Sequence, residues 1–150
     1  MDLFAILQKC GKRQKNIDMS LSDEERRVIV NLEIEKAYRH YNQALIMQRE
    51  EQWDGMANRL YYAVFHAVSA LMIHDSIAVN THKGSHALFA LHYIKTGRLS
   101  KAYGDLYRKL ERMREESDYN CTYEDEPEVL QNNIIPAKEM IDTIAQMVKG

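Results

Sequence analysis

Asn58-Arg59-Leu60-Tyr61-Tyr62-Ala63-Val64-Phe65-His66 opens the most apolar stretch of the chain, which runs from Leu60 to Ile73 with only His66 and Ser69 as polar breaks. No Gly or Pro interrupts that run, and it is too long for a strand, so it reads as a helix buried on most of its circumference. Arg59 and His66 are seven residues apart. At about 100° per residue, seven steps return to nearly the same direction, so guanidinium and imidazole share one face two turns apart. Tyr62 stands between them and Ser69 extends the line. A snorkelling cation and a hydrogen-bonded core imidazole would account for this pair in an ordinary bundle. Burying a cation without a partner is costly, however, and no acid lies three or four positions from Arg59. The polar stripe therefore needs a partner from elsewhere in the chain, or an anionic ligand.

The flanking sequence fits one all-helical domain. A chain of 150 residues can bury about 68–70% of its unfolded surface without staples. Pro occurs twice, and Val, Ile and Thr form no alternating runs, which argues for an all-α chain. Ser22 and Glu25 form a capping box that starts a first helix reaching about Glu51, with Val30, Ile34, Ala37, Tyr38, Tyr41, Ala44 and Leu45 inward. His40 falls off that stripe and reads as solvated. Gln52-Trp53-Asp54-Gly55 makes the turn, with Asp54 as cap of the central helix to about His74. Thr81 caps a third helix that stops at Gly97, and Ser100 opens a fourth through about Ser117 with Leu99, Tyr103, Leu106, Leu110 and Met113 inward. A fifth starts near Pro127 and breaks at Pro136, packing through Ile134, Ile135, Met140, Ile141, Ile144, Met147 and Val148.

Residues 1–21 read as an extension to a domain of residues 22–150. Asp2 can cap a short helix through Lys9, and Gly11-Lys12-Arg13-Gln14-Lys15 reads as a basic linker, either a solvated tail or a phosphate-contacting arm. Net charge is −2, so no global basic field announces a nucleic-acid partner. That total conceals two halves. From Lys83 to Arg114 there are eight Lys or Arg against two acids, and from Glu115 to Asp142 nine acids against one Lys. Lys83, Lys101, Arg108 and Arg112 are the candidate phosphate collectors, with a plain solvated face as the alternative. His82 and His86 stand four apart, a spacing that can bind metal, but no third ligand is placed beside them, and no metal or cofactor is expected. Two distant cysteines suit a reducing cytosol. Leu60–Ile73 is too short for a membrane span, and no signal peptide opens the chain, so a cytoplasmic protein is expected.

Four segments together resemble the HEPN family, the higher-eukaryote and prokaryote nucleotide-binding domain, in its small stand-alone prokaryotic form. They are Ala57 to His66, Thr81-His82-Lys83-Gly84, Tyr93-Ile94-Lys95-Thr96-Gly97-Arg98-Leu99, and Arg114-Glu115-Glu116-Ser117-Asp118-Tyr119. The family signature is Arg, four to six residues, then His, and Arg59 with His66 satisfies the six-residue version. The resemblance implies an up-and-down antiparallel bundle of four to five helices that dimerises with both Arg–His pairs lining a shared cleft. It implies a metal-independent endoribonuclease, frequently the toxin of a toxin–antitoxin pair whose partner is a minimal nucleotidyltransferase. Arg59 would hold the scissile phosphate, His66 would be general acid or base, and Asn58 would help orient them; Tyr62, from its place on the stripe, is a candidate nucleotide contact. The alternative within the family is a non-catalytic module that binds a nucleotide or a partner protein. Val68 stands where some toxin members carry the Tyr that the partner adenylylates, so the resemblance does not extend to that mode of silencing.

Independent chemistry agrees with the ribonuclease expectation. Cleaving RNA without metal takes a base for the 2′-hydroxyl proton, an acid for the departing 5′-oxygen, and a cation over the developing phosphorane charge. One stripe supplies one His and one Arg, so a two-fold homodimer that faces two stripes would complete the set.

Overall fold

The computed structural model describes residues 21–79 and 81–149. The expected helix over Asp2–Lys9 and its basic linker lie outside the described residues. Helices α1 (Asp23–Arg49) and α2 (Trp53–His74) form a long hairpin. They are followed by α3 (His82–Phe89), which continues as a π-turn over Ala90–Ile94, then α4 (Lys101–Tyr119), α5 (Pro127–Gln131) and α6 (Ile134–Met147). Among the described residues there is no strand, and the architecture is an all-α bundle.

Helix α1 begins where the capping box predicts: Ser22 Oγ accepts the Glu25 amide at 3.1 Å and Glu25 Oε1 accepts the Ser22 amide at 3.2 Å. Thr81 Oγ1 and Ser100 Oγ likewise accept the amides of Gly84 and Ala102. The α1–α2 turn differs from the expected one. It is confined to Glu50–Gln52, with Glu51 left-handed at φ 56°, and α2 already starts at Trp53. Asp54 therefore lies inside the first turn, where its carboxylate accepts the Gly55 amide, and does not cap the helix.

Two other boundaries moved. After Phe89 the ladder widens, so that the Lys95 amide reaches Ala90 O at 2.9 Å, five residues back. The chain then leaves through Gly97 at φ 77°, in the left-handed conformation expected of it. The last helix breaks at Asn132–Asn133, ahead of Pro136. Pro136 sits in the first turn of α6, where an amide has no intrahelical acceptor to lose. Asn133 makes the break, donating from Nδ2 to Val129 O at 2.7 Å. Ile135, expected inward, is 70% exposed because the new helix start rotates it to the surface.

Helix α2 is the axle. It contacts every other α-helix, and Leu60, Tyr61, Ala63, Val64, Ala67, Val68 and Leu71 are wholly buried. Its α1 contacts recur every seven residues on both strands of the hairpin: Arg26 Nη1 donates to Ile73 O at 2.8 Å, Glu33 meets His66, and His40 meets Arg59. All three pairs are centred on one point, between Arg49 and Glu50, so an antiparallel register places two polar residues of α1 opposite the Arg59–His66 stripe. Among the described residues no helix is long and apolar enough to cross a membrane.

Candidate active site

The stripe meets its partners inside this hairpin. His66 Nδ1 lies 2.8 Å from Glu33 Oε2, and both residues are buried, at 9% and 5% exposure. A carboxylate can only accept, so Nδ1 carries the proton and donates it, which leaves Nε2 as the atom of His66 that gains or loses one. The His40 ring stacks on His66 with centroids 5.2 Å apart and planes 12° from parallel. Arg59 Nη1 then lies 3.1 Å from His40 Nδ1 and 3.4 Å from Gln43 Oε1. The seam reads Arg59, His40, His66, Glu33 from its open end to its closed one.

His40 Nδ1 is also 3.1 Å from Gln43 Oε1, and one nitrogen cannot accept from Arg59 while donating to Gln43. Arginine keeps its charge. Burial, followed by the charges of His66 and Arg59, pushes the His40 imidazole down to about 4, against a smaller opposing pull from Gln43. A neutral ring with a bare Nδ1 is therefore the consistent assignment, and Arg59 donates both to it and to Gln43. The expectation that His40 is solvated is thus corrected. It is half-buried, and it lies in line with the buried Glu33, Ala37 and Ala44 on the face of α1 that meets α2.

Tyr62 stands beside the seam, its ring 6.3 Å from His40 and 6.4 Å from His66. Over its other side lies the Arg114 guanidinium of α4, 5.7 Å from the ring centroid and 5.1 Å from that of Tyr61. Asn58 does not reach His66 here. Its Nδ2 donates to Asp118 Oδ2 at 3.0 Å, and that carboxylate also faces Arg114 Nη1 at 3.8 Å. Asn58 thus ties α2 to α4 at the edge of the stripe. Lys83, Lys101, Arg108 and Arg112 are all exposed on α3 and α4, outside the hydrogen-bonded seam. Lys101 opens α4 thirteen residues before Arg114, about 20 Å away along the helix.

Arg59 also borders open space. With Gln43, Ile46 and Met47 it lines a shallow groove of about 280 Å³, where Ile46 is 49% exposed. An anion in that groove would meet a guanidinium that no carboxylate among the described residues pairs with. His82 and His86 do not converge as a metal site. His82 stacks on Phe65 at 4.4 Å and His86 on Tyr107 at 3.7 Å, and the described residues hold no cluster of three or more His, Cys, Asp or Glu fit to bind a metal.

The family profile described as HEPN domain matches residues 30–147, a span that holds the whole seam. The chain belongs to the HEPN family. A Thermotoga maritima relative named "UPF0332 protein" is 30% identical over 106 residues, covering 71% of this chain and 80% of the relative. Two relatives from Methanocaldococcus jannaschii carry the names "Putative toxin MJ0605" and "Putative toxin MJ0142". The first is 27% identical over 116 residues, covering 77% of this chain and 86% of its own. The second is 30% identical over 91 residues, covering 61% and 62%.

Arg59 and His66 stand out in the sequence of this HEPN chain, whereas three residues that surround them, Glu33, His40 and Arg114, do not. The signal for the first two was present. Glu33 and His40 repeat the seven-residue spacing of Arg59 and His66, and a short turn between two long helices fixes which positions face each other. Arg114 lay in a quoted motif, but nothing local shows that α4 crosses α2 at Tyr61 and Tyr62.

Proposed function

We propose that this HEPN protein is a metal-independent endoribonuclease that acts as a homodimer and serves as the toxin of a toxin–antitoxin pair. The observation that carries the reading is the seam itself: a guanidinium at a groove, with no carboxylate partner among the described residues, joined through one imidazole to a second whose Nδ1 is held by a carboxylate. In this mechanism Arg59 grips the scissile phosphate through paired donors and stabilises charge as the 2′-oxygen attacks phosphorus. His66 Nε2 moves the proton, and two copies across a two-fold axis act as base and acid. The P–O5′ bond breaks, leaving a 2′,3′-cyclic phosphate and a free 5′-hydroxyl. Exposed Lys83, Arg108 and Arg112 serve as outer phosphate contacts.

Purified protein incubated with mixed RNA in excess chelator tests this. The expected result is cleavage with 5′-hydroxyl ends, reduced by a factor of about 10²–10⁴ in Arg59→Ala and in His66→Gln, with dimer mass unchanged by light scattering. One observation favours a second reading, a non-catalytic module that binds a nucleotide or a nucleotidyltransferase partner: His66 keeps only 9% of its exposure within its own chain. A wild-type dimer that binds nucleotide yet leaves every RNA intact would establish that module in place of the nuclease.

A further inference from the structure

The Arg–His signature does not by itself explain how two long side chains, one half-exposed, hold a fixed relation. Arginine carries roughly 2 kcal/mol of rotamer entropy, and a guanidinium free to wander would be a poor phosphate clamp. In the hairpin His40 touches both members: it accepts from Arg59 Nη1 at 3.1 Å and stacks on the His66 ring at 5.2 Å. On the far side of His66, Glu33 takes the Nδ1 proton at 2.8 Å.

We propose that His40 and Glu33 are positioning residues of this site: Glu33 fixes His66 in the Nδ1–H form, and His40, as a neutral acceptor, sets the Arg59 guanidinium in register with His66. The choice of residue types follows from charge. A carboxylate at position 40 would orient Arg59 equally well, but would cancel the charge that a phosphate needs and compete with it for the same donors. An imidazole kept neutral by burial and by the adjacent guanidinium charge orients that guanidinium without discharging it. Glu33 has the complementary task. Free imidazole favours the other tautomer, and a buried acceptor at Nδ1 reverses that preference and turns Nε2 to the chemistry, as second-layer carboxylates do behind other working histidines. Neither residue is asked to touch RNA. Their consequence for catalysis rests on the ribonuclease reading; the tautomers and the Arg59 contact do not.

Long-range proton–nitrogen correlation spectra of the full chain, labelled with ¹⁵N and recorded near neutral pH, read both tautomers directly. Nδ1 of His66 is expected to carry a proton and Nδ1 of His40 to be bare, and Glu33→Ala should return His66 to the Nε2–H form. A bare Nδ1 on His66, or a protonated Nδ1 on His40, overturns the assignment whatever the enzyme does. Should Glu33→Ala not fold, the wild-type spectrum alone decides. Kinetics on a mixed RNA substrate supply the second arm. His40→Ala is expected to lower kcat/KM at least tenfold, and His40→Asn, whose amide oxygen can replace Nδ1 as acceptor, should recover most of it. His40→Asp should raise KM more than it lowers kcat, because it competes for Arg59. Equal activity in wild type and His40→Ala removes His40 from the site. Wild-type protein with the assigned tautomers and no cleavage of any RNA instead removes the nuclease reading, and leaves the positioning assignment supported by the spectra.

Discussion

Helix α2 carries a histidine-and-aromatic cluster on each of two faces, and the two are built from nearly the same residue types. On one face lie Arg59, His40, His66 and Glu33, with Tyr62 alongside. Tyr61, two positions beyond Arg59 and so about 200° around the helix, organises the other: His82, His86, Tyr107 and Phe65 pack around its ring. The second cluster is closed at its centre, with only His82 half-buried at its edge. Tyr61 and Tyr107 have no exposure, Ser85 Oγ bonds the Tyr107 hydroxyl at 3.1 Å, and His86 lies flat on the Tyr107 ring. The first opens on a groove, and its two imidazoles together link a guanidinium to a carboxylate, whereas His86 in the second has a carboxylate, Glu111, and no guanidinium at its ring nitrogens among the described residues. A histidine surrounded by rings acts as a core residue; a stacked pair that joins a guanidinium to a carboxylate is set up to handle a proton and an anion.

The sharpest way to break that comparison is to empty the sealed side. Tyr107→Ala removes a wholly buried ring from the contact of α2, α3 and α4 and is expected to cost about 3–5 kcal/mol, read as a shift in denaturant midpoint. At temperatures where the variant stays folded, its kcat on RNA should match wild type. A large fall in kcat with stability intact would mean that the second cluster takes part in the chemistry and that the division is wrong.

Acid separates the two clusters less violently. Burial, then the charges of Arg108 and His82, push His86 down to about 4, and burial with its neighbours does the same to His40. Both groups bind protons more weakly folded than unfolded, where an ordinary histidine titrates near 6.5. Their contribution is therefore complete above about pH 6.5 and is lost as pH falls toward about 4. The Glu111 carboxyl, 2.7 Å from His86 and lifted by burial and by Glu115, runs the other way and offsets part of the loss. Asp75 stays out of this window: burial raises its carboxyl, but hydrogen bonds from Tyr93, His74 and Arg98 outweigh that and hold it low, so its contribution is lost only below about pH 4. His86→Phe keeps the stack on Tyr107 and cannot charge, so its melting temperature should fall less than that of wild type between about pH 6.5 and 4. His40→Asn should flatten the same slope by a smaller amount, because solvent screens its more open site. The reverse ranking by calorimetry would place the better-sealed histidine in the seam.

These outcomes bear on what could be read from the chain before its fold. Hydrophobic period and capping chemistry are local, and they located α1, α2, α4 and the Thr81 cap within a few residues. They mark which face of a helix is oily, and are silent on which polar residue of one helix meets which of the next. His40 was missed for that reason: its neighbours on the same face, Ala37 and Ala44, are small, so the line looks weak by hydrophobicity although it is buried. The centring of Arg26–Ile73, Glu33–His66 and His40–Arg59 on one turn supplies the missing rule, since a tight hairpin makes every facing pair calculable from a single one. The break at Asn132–Asn133 was hidden by Pro136, whose helix-breaking reputation holds inside a helix and lapses in a first turn. The π-turn after Phe89 has no signature in composition that these residues display.

The smallest expected effect probes the groove at the open end of the seam. Gly55 lies in the first turn of α2 facing Met47, and a methyl added there would come 2.6 Å from Met47 Sδ. That sulfur is near the end of a flexible side chain, so the clash is relieved by a rotamer change and the backbone need not move. Replacing Gly in a helix by Ala gains about 0.5–1 kcal/mol, which the displaced Met47 contacts offset, leaving net stability within about 1 kcal/mol of wild type. Met47 is a wall of the groove that Arg59 borders, though, and moving it reshapes the groove without touching any charge. Gly55→Ala should therefore change KM for RNA about two- to threefold with kcat unaltered, while the tautomers of His40 and His66 stay as in wild type. An unchanged KM alongside a displaced Met47 resonance would mean that RNA approaches Arg59 from another side. The groove wall would then be free to serve the contact between two subunits, and the open end of the seam would be narrower than the single chain suggests.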